Sequence, residues 1–416
     1  MIDMAPERQS TQVNFVYIIL GGLVILSFAG FFIFPTGKAN NFPTYLAAIL
    51  ALVLLARSEF PKSLLISPTF LGATAFLLYL SASFVWSPEY TVGKLLNTLI
   101  DALLILLMLA SIAFCQMSVK HFRRIFCYSL VVVAGLAASV YLVTSLLNDS
   151  GGGILWGRWQ NTNIGAMAFG AIGTVGLGTI AAERIIWLRT LATPFVLALI
   201  FAAYLLNVGY VELAMATGMS TICLGRAWQS RNPRQQMGWI LVFLAILLIF
   251  KPWTLLVEAM PRSSIWSPAL ETSYEGQLLF GAGYGASVPV PTHCADDMQT
   301  DSDCNYSHPH NGFISTLYYG GLVGLCLLGL LLLIAGSQMS EFRNTGRLLV
   351  LGTLTYALVI LTFDGTRLIE KIDFIWLIFW LPIALVISCE AELRLRQQLL
   401  DEDDTLDHLF PRNNQA

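Results

Sequence analysis

The residues best suited to chemistry close the one long polar stretch of this chain. They read His308-Pro309-His310-Asn311, then nine residues, then Gly321-Leu322-Val323-Gly324. Three of the five histidines, His293, His308 and His310, fall in that stretch. Ionisable groups near a membrane are costly, so they mark functional sites by default. An imidazole at His310 can accept a proton near neutral pH and so serve as a general base. Asn311 is placed to cap the helix that follows, and a cap region is the structural alternative for His310. Gly320 and Gly324, four apart, let another helix pack closely.

A second cluster reads Trp156-Gly157-Arg158-Trp159-Gln160-Asn161-Thr162-Asn163. A guanidinium beside a helix N-terminus, with Asn161 and Asn163 adjacent, makes an anion site suited to phosphate. Arg262 lies in Pro261–Leu270, which has the pattern of a short interfacial amphipathic helix with Trp253 and Trp266 at headgroup level. Gly281, Gly283 and Gly285 alternate along Leu279–Gly285, permitting positive φ and close backbone approach. A tight turn explains that pattern equally well. Lys94, which follows Trp86-Ser87-Pro88 at the start of a span, can reach a phosphate or simply snorkel. Asp364 and Arg367 read as a surface ion pair, with lining of a donor site as the alternative.

Cys294 and Cys304 are the one pair in the polar loop, and an oxidising compartment predicts a disulfide between them. A Cys/His zinc site with His293 and His308 is the alternative, but the spacing matches no regular metal pattern. Cys115, Cys127, Cys223, Cys326 and Cys389 fall in or beside apolar spans, where thiols act as small hydrophobes.

The elements that must position these groups follow from composition. Of 416 residues, 56% are hydrophobic and 12% charged, whereas a soluble domain carries about 25% charged. This is the composition of a polytopic membrane protein. Phe15–Phe34 reads as a first helix, not a cleaved signal peptide. Twelve apolar segments are expected to span, at 15–34, 42–56, 67–86, 92–114, 125–147, 163–182, 190–208, 210–225, 237–250, 312–335, 347–363 and 374–389. A crossing takes about 20 residues, so the second, eighth, ninth and twelfth must extend into their flanks or be broken. Backbone pairing in lipid requires the spans to be helical. The expected organisation is nine helices in 1–250, a loop at 251–311, three helices in 312–390 and a cytoplasmic tail at 391–416 with a solvated acidic run.

Charge sorting sets the orientation. Arg57 and Lys62; Lys120, Arg123 and Arg124; Arg184 and Arg189; Arg226, Arg231 and Arg234; Arg343 and Arg347; and Arg394 and Arg396 occupy alternate connections. With Arg8 and Arg412 they place sixteen of the 23 Lys+Arg on one face. The positive-inside rule makes that face cytoplasmic, with both termini, and puts the 251–311 loop outside. The remaining cations, Lys38, Lys94, Arg158, Lys251, Arg262, Arg367 and Lys371, stand where sorting disfavours them.

Taken in order, four of these segments resemble the O-antigen ligase and O-antigen polymerase superfamily of bacterial membrane glycosyltransferases. His310-Asn311-x9-Gly321-x2-Gly324 is similar to the signature ending the large periplasmic loop, and Leu279–Gly285 to its glycine-rich segment. Arg262-x3-Trp266 resembles the arginine segment that opens the loop. Gly157-Arg158 with Asn161 and Asn163 resembles the entry to a mid-chain span. One departure stands out. Where the family usually carries a Ser-Arg pair, this chain reads Asn207-Val208-Gly209-Tyr210-Val211-Glu212.

The resemblance implies an all-α, GT-C-like fold in the bacterial inner membrane. It implies transfer of a glycan from an undecaprenyl-pyrophosphate carrier to a sugar hydroxyl, without metal or cofactor and with no nucleic-acid partner. The acceptor is lipid A–core for a ligase or another lipid-linked glycan for an O-antigen or exopolysaccharide polymerase. By this analogy His310 is the general base, and Arg262 and Arg158 hold the leaving pyrophosphate. Lys94, Asn161, Asn163, Asn311, Gly281 and Gly283 are the expected substrate-binding residues. Polymerases often use two basic loops, and the one long loop here is acidic, which favours a ligase. Two further classes stay open: a transporter, which calls for ionisable groups at mid-membrane depth, and a non-catalytic component of polysaccharide assembly. A cytoplasmic nucleotide sugar is not the expected donor, because the candidate residues lie outside.

Overall fold

The computed structural model describes residues 7–57, 66–148, 153, 157–250, 266, 269–271, 273, 277–288, 309–342, 344–365 and 367–409. Arg262, Trp253, His293, His308 and the pair Cys294 and Cys304 lie outside the described residues. Regular structure among the described residues is all helical. The long helices are α1 (Glu7–Ile33), α2 (Gly37–Ala56), α3 (Pro68–Ser83), α4 (Val92–Ser118), α5 (Phe122–Leu147), α6 (Thr162–Ala182), α7 (Ile186–Leu205), α8 (Gly209–Gln229), α9 (Pro233–Phe250), α10 (Gly312–Ser337), α11 (Asn344–Phe363) and α12 (Leu381–Leu409). A π-helical turn, Trp376–Trp380, leads into α12.

Eleven helices among the described residues are long and apolar enough to cross a membrane. The exception is α8, whose Glu212, Thr217, Ser220 and Thr221 lower its hydropathy. Its 21 residues still span about 31 Å. They do so antiparallel to α11. Tyr210, at the start of α8, donates to Asp364 just past the end of α11. Midway, a Cβ on Gly218 would sit 2.8 Å from the Gly352 carbonyl oxygen, so the two backbones touch. Near its far end, Gly225 meets Leu348 at the start of α11. Protein surrounds most of α8: Tyr210–Ala216 and Met219 are buried. Facing neighbours instead of lipid, it tolerates polar side chains, as helix interfaces in membranes do. The short expected spans resolve by extension; the second, for example, starts at Gly37 and runs through Pro43.

Side-chain caps fix where helices enter. Thr36, Ser67, Thr91, Asn161 and Asn311 each accept from a backbone N–H in the first turn of the helix that follows. Each such cap is worth about 1 kcal/mol. Helices α6 and α12 are central and α9 peripheral, as their burial shows. Helix α12 brings Glu390 to Ser67 and Thr69, whose hydroxyls hold its carboxylate.

One irregularity organises the site. Helix α10 breaks at Gly321, where φ is 63° and ψ is −164°. In an unbroken helix the carbonyls of Tyr318 and Tyr319 would bond the amides of Leu322 and Val323. Here all four groups turn to the glycine strip. Ala282 N donates to Tyr318 O (2.8 Å) and Gly283 N to Tyr319 O (3.1 Å), while Leu322 N donates to Leu278 O (2.8 Å) and Val323 N to Leu279 O (3.2 Å). The Tyr79 hydroxyl bonds the next freed carbonyl, Gly320 O, at 2.7 Å. The break therefore leaves these backbone groups paired, as burial in a membrane protein demands.

The approach needs glycine on both sides. Gly281 has φ of 73°, and a Cβ there would lie 2.5 Å from Gly321 N. Gly283 has φ of 87°, and a Cβ there would lie 2.6 Å from Ser87 N. Substitution at Gly321 adds a left-handed penalty of about 1–2 kcal/mol to a collision with Leu279. Gly321→Ala should therefore lower the detergent-solubilised melting temperature by several degrees. Gly329→Ala is the control, since its Cβ meets nothing within 4 Å and a helical glycine replaced by alanine gains about 0.5–1 kcal/mol. Equal melting temperatures for the two variants would refute the assignment of the break.

Candidate active site

Arg158 sits in a 3₁₀ turn, Gly157–Trp159, that delivers the chain to the Asn161 cap of α6. Its guanidinium lies 5.3 Å from the Phe31 ring centroid, and Nη2 is 3.0 Å from Asp373 Oδ1. With the Asn40 amide turned so that its oxygen accepts, Arg158 Nη1 donates to it at 3.0 Å. Burial lowers the pKa of this guanidinium, while Asp373 and Glu370 act to restore it.

The connection between α11 and α12 brings the other charges. Three aromatic donors hold its backbone. Tyr284 O–H donates to Ile369 O at 2.6 Å, Trp380 Nε1 to Leu368 O at 2.9 Å, and Trp376 Nε1 to Glu370 O at 3.0 Å. Arg367 stacks between tyrosines, its Cζ 5.4 Å from the Tyr319 centroid and 6.0 Å from that of Tyr284. Among the described residues it makes no ion pair. Together Lys94, Asp101, Arg158, Arg367, Glu370, Lys371 and Asp373 line a cavity of about 440 Å³, with Tyr284 and Gly285 from the glycine strip. Four cations thus face three carboxylates.

One of those carboxylates titrates where it matters. Burial, then the neighbouring Asp373, pushes Glu370 up to about 7, against the pull of Arg367. Asp373 is also raised, by burial, against its partner Arg158. Below about pH 7 a protonated Glu370 leaves the cavity with more positive charge, which suits an anionic ligand such as a pyrophosphate.

His310 and Asn311 stand at the start of α10, beside this cavity's connection but not among its lining residues. His310 holds a left-handed backbone, φ 52°, which is costly for a residue with a Cβ and clusters at functional sites. Its Nδ1 lies 3.2 Å from Asp364 Oδ1, and Asp364 Oδ2 accepts from Tyr210 O–H at 2.6 Å. With the carboxylate accepting, the imidazole proton is on Nδ1 and Nε2 has the basic lone pair. Asn311 caps α10, accepting from Phe313 N and Ile314 N at 2.9 Å each, and donates to Thr362 O at 2.6 Å. Both residues thus pin the start of α10 to the end of α11.

The expected surface pair of Asp364 with Arg367 does not form. Asp364 is buried and taken by His310 and Tyr210, while Arg367 turns to the cavity and Tyr319. The other groups separate. Arg158 and Lys94 meet at the cavity; Lys94 is also ion-paired with Glu89 at 2.8 Å. Asn161 is occupied as a cap and Asn163 is exposed in the same turn. Gly281 and Gly283 are buried against α10 and the end of α3. Sequence reasoning missed Lys371, Glu370, Asp373, Tyr284 and Tyr319 as lining or supporting groups. One signal was present: Arg367 and Lys371 are both cations on the face where charge sorting disfavours them. The stretch lacking an arginine, Asn207–Glu212, supplies Tyr210 to the His310–Asp364 pair.

No protein-family model matches the chain. The chain is similar to the O-antigen ligase of Pseudomonas aeruginosa (strain PAO1), with 24% identity over 373 residues, covering 86% of each protein. The resemblance to the O-antigen ligase superfamily is thus borne out over most of the chain's length.

The Glu370 carboxyl yields a pH dependence. Its folded-state pKa of about 7 lies above the ordinary 4.5, so the folded state holds a proton that the unfolded state has released. That contribution to stability is complete below about pH 4.5 and is lost as pH rises through about 7. Melting temperature measured from pH 5 to 8 should fall with rising pH for the wild type. Glu370→Gln should flatten that slope; an unchanged slope would refute the assignment.

Proposed function

We propose that this chain is an inner-membrane glycosyltransferase of the O-antigen ligase type. It moves a glycan from undecaprenyl pyrophosphate to a sugar hydroxyl of lipid A–core, on the face opposite the arginine-rich loops. The observation that carries this reading is the convergence of Arg158, Lys94, Arg367 and Lys371 on one cavity. The His310–Asp364 pair lies at the same face. The similarity to an O-antigen ligase supports the reaction class.

The proposed chemistry is a single displacement. The acceptor hydroxyl oxygen attacks the anomeric carbon of the donor, and the bond from that carbon to the phosphate oxygen breaks. His310 Nε2 takes the hydroxyl proton, while Asp364 steadies the resulting imidazolium, much as a carboxylate does in a catalytic triad. The electron pair leaves with undecaprenyl pyrophosphate. Charge growing on that leaving group is where fixed cations in a water-poor site contribute most. Arg158 and Arg367 supply it, with Lys94 and Lys371 at the cavity edge and Arg262 retained from the sequence reading. Arg158 is already balanced by Asp373, so Arg367, the cavity arginine that makes no ion pair among the described residues, carries the larger share. It takes the role that the missing family arginine leaves vacant. The membrane lipids hold the carrier's polyprenyl tail.

The test is complementation of a strain lacking the gene, with surface glycan resolved by gel. His310→Ala should lower transfer by about 10²–10⁴-fold, and Arg367→Ala by about 10²–10³-fold, with both proteins still in the membrane. Loss of glycan on lipid A–core while lipid-linked polymer accumulates is the ligase outcome. Single repeats left on lipid A–core would instead make the protein a polymerase. Wild-type glycan from both variants would overturn the site, and a non-catalytic assembly role would replace it.

A further inference from the structure

A second cavity, of about 780 Å³, opens on the arginine-rich face, remote from the first. It is lined where α4 ends, α5 begins and α6 ends. Lys120, His121, Arg123, Arg124 and Arg184 contribute to its wall, against two carboxylates, Glu183 and Glu392. Both carboxylates are taken. Arg124 Nε lies 2.7 Å from Glu183 and Arg123 Nη2 lies 3.0 Å from Glu392. Lys120 and Arg184 therefore carry the surplus charge, and both are exposed at the mouth.

The insertion bias accounts for cations on this face, but not for their convergence on one cavity. Nor does it account for Arg124 Nη2, which is buried with no hydrogen-bond partner among the described residues. A buried donor left unpaired is costly, so an oxygen from a ligand or from water must complete it. The first turn of α5 adds to the field. That 26-residue helix follows His121, whose side chain makes no capping bond and whose φ is 62°. Gln116 Oε1 accepts from one first-turn amide, Arg123 N, at 2.9 Å, and the positive end of the helix lies at the cluster. The volume lies within the usual range for a small-molecule site, about 300–1,000 Å³. Met117, Val119, Ile185 and Leu349 give the cavity an apolar side as well.

We propose that this cavity binds a phosphate-bearing anion, a phosphodiester headgroup or a free phosphate, between Lys120, Arg124, Arg184 and the start of α5. Guanidinium forks match phosphate oxygens two at a time. Basic pockets between membrane helices on the cytoplasmic side are a recurrent home for anionic headgroups. The site is independent of the transfer reaction proposed above, and neither Lys120 nor Arg184 belongs to that machinery.

The test uses the full chain in phosphatidylcholine nanodiscs, titrated with phosphatidylglycerol or with inorganic phosphate. Bound lipid is counted by native mass spectrometry and stability followed by melting temperature. The double variant Lys120→Gln/Arg184→Gln should weaken phosphatidylglycerol binding by about thirtyfold, since each basic side chain contributes about fivefold at an anionic surface. Arg231→Gln/Arg234→Gln removes the same charge from the same face outside the cavity and should change binding little. Stabilisation by inorganic phosphate that is lost in the first double variant would assign the site to a soluble phosphate; retention of phosphatidylglycerol alone would assign it to lipid. Equal losses in the two double variants, or no response to either ligand, would overturn the proposal.

Discussion

The structure depends on a trade of backbone hydrogen bonds. Four groups that a continuous α10 would pair among themselves pair instead with Leu278, Leu279, Ala282 and Gly283. In lipid an unpaired amide or carbonyl is costly, so the break in α10 and the course of the glycine strip require each other. From that exchange follow the positions of Tyr284, which pins the α11–α12 connection, and of Tyr319, which backs Arg367. Arg367 is thus placed by neutral backbone chemistry, whereas Arg158 and Lys94 are held by carboxylates.

The second determinant is the way buried charge is shared. Arg158 has Asp373 and the Asn40 amide; among the described residues Arg367 has aromatic faces and a long contact to the Tyr319 hydroxyl. Ring quadrupoles attract a guanidinium without neutralising it, so Arg367 keeps its charge available to a ligand. Glu370, held up to about 7, moderates the field once it releases its proton. A cavity with four permanent cations and no carboxylates would repel itself in the empty state; the three acids allow it to exist before a ligand arrives.

The helices are legible in the sequence because lipid imposes length and apolarity on every crossing, and charge sorting adds an expected orientation. Helix α8 is the instructive case: its polar residues weaken the hydropathy signal, yet the alternation of basic connections requires it. The cap at Asn311 is equally legible, since capping is local chemistry, whereas Asn161, expected as a substrate contact, is occupied as the cap of α6. The cavity is not. Lys94, Arg158, Tyr284 and Arg367 are far apart in sequence, and nothing local says that they converge. Asp364 illustrates the limit best. Three residues from an arginine, it reads as half of an ion pair, but a hydrogen bond from Tyr210 and the imidazole of His310 claim it. Only the packing of α8 against α11 makes that visible.

Because the cavity draws on α4, the turn before α6, the glycine strip and the connection before α12, no early part of the chain contains it. During synthesis Arg158 enters the membrane long before its counter-charge, Asp373, has been made. Until the last helix arrives, that guanidinium must rely on Asn40, Phe31 and water at the membrane surface. The order of translation thus makes the connection before α12 the step that closes the cavity. A nascent chain that ends before it lacks Arg367, Glu370, Lys371 and Asp373, so the cavity is assembled only late in synthesis.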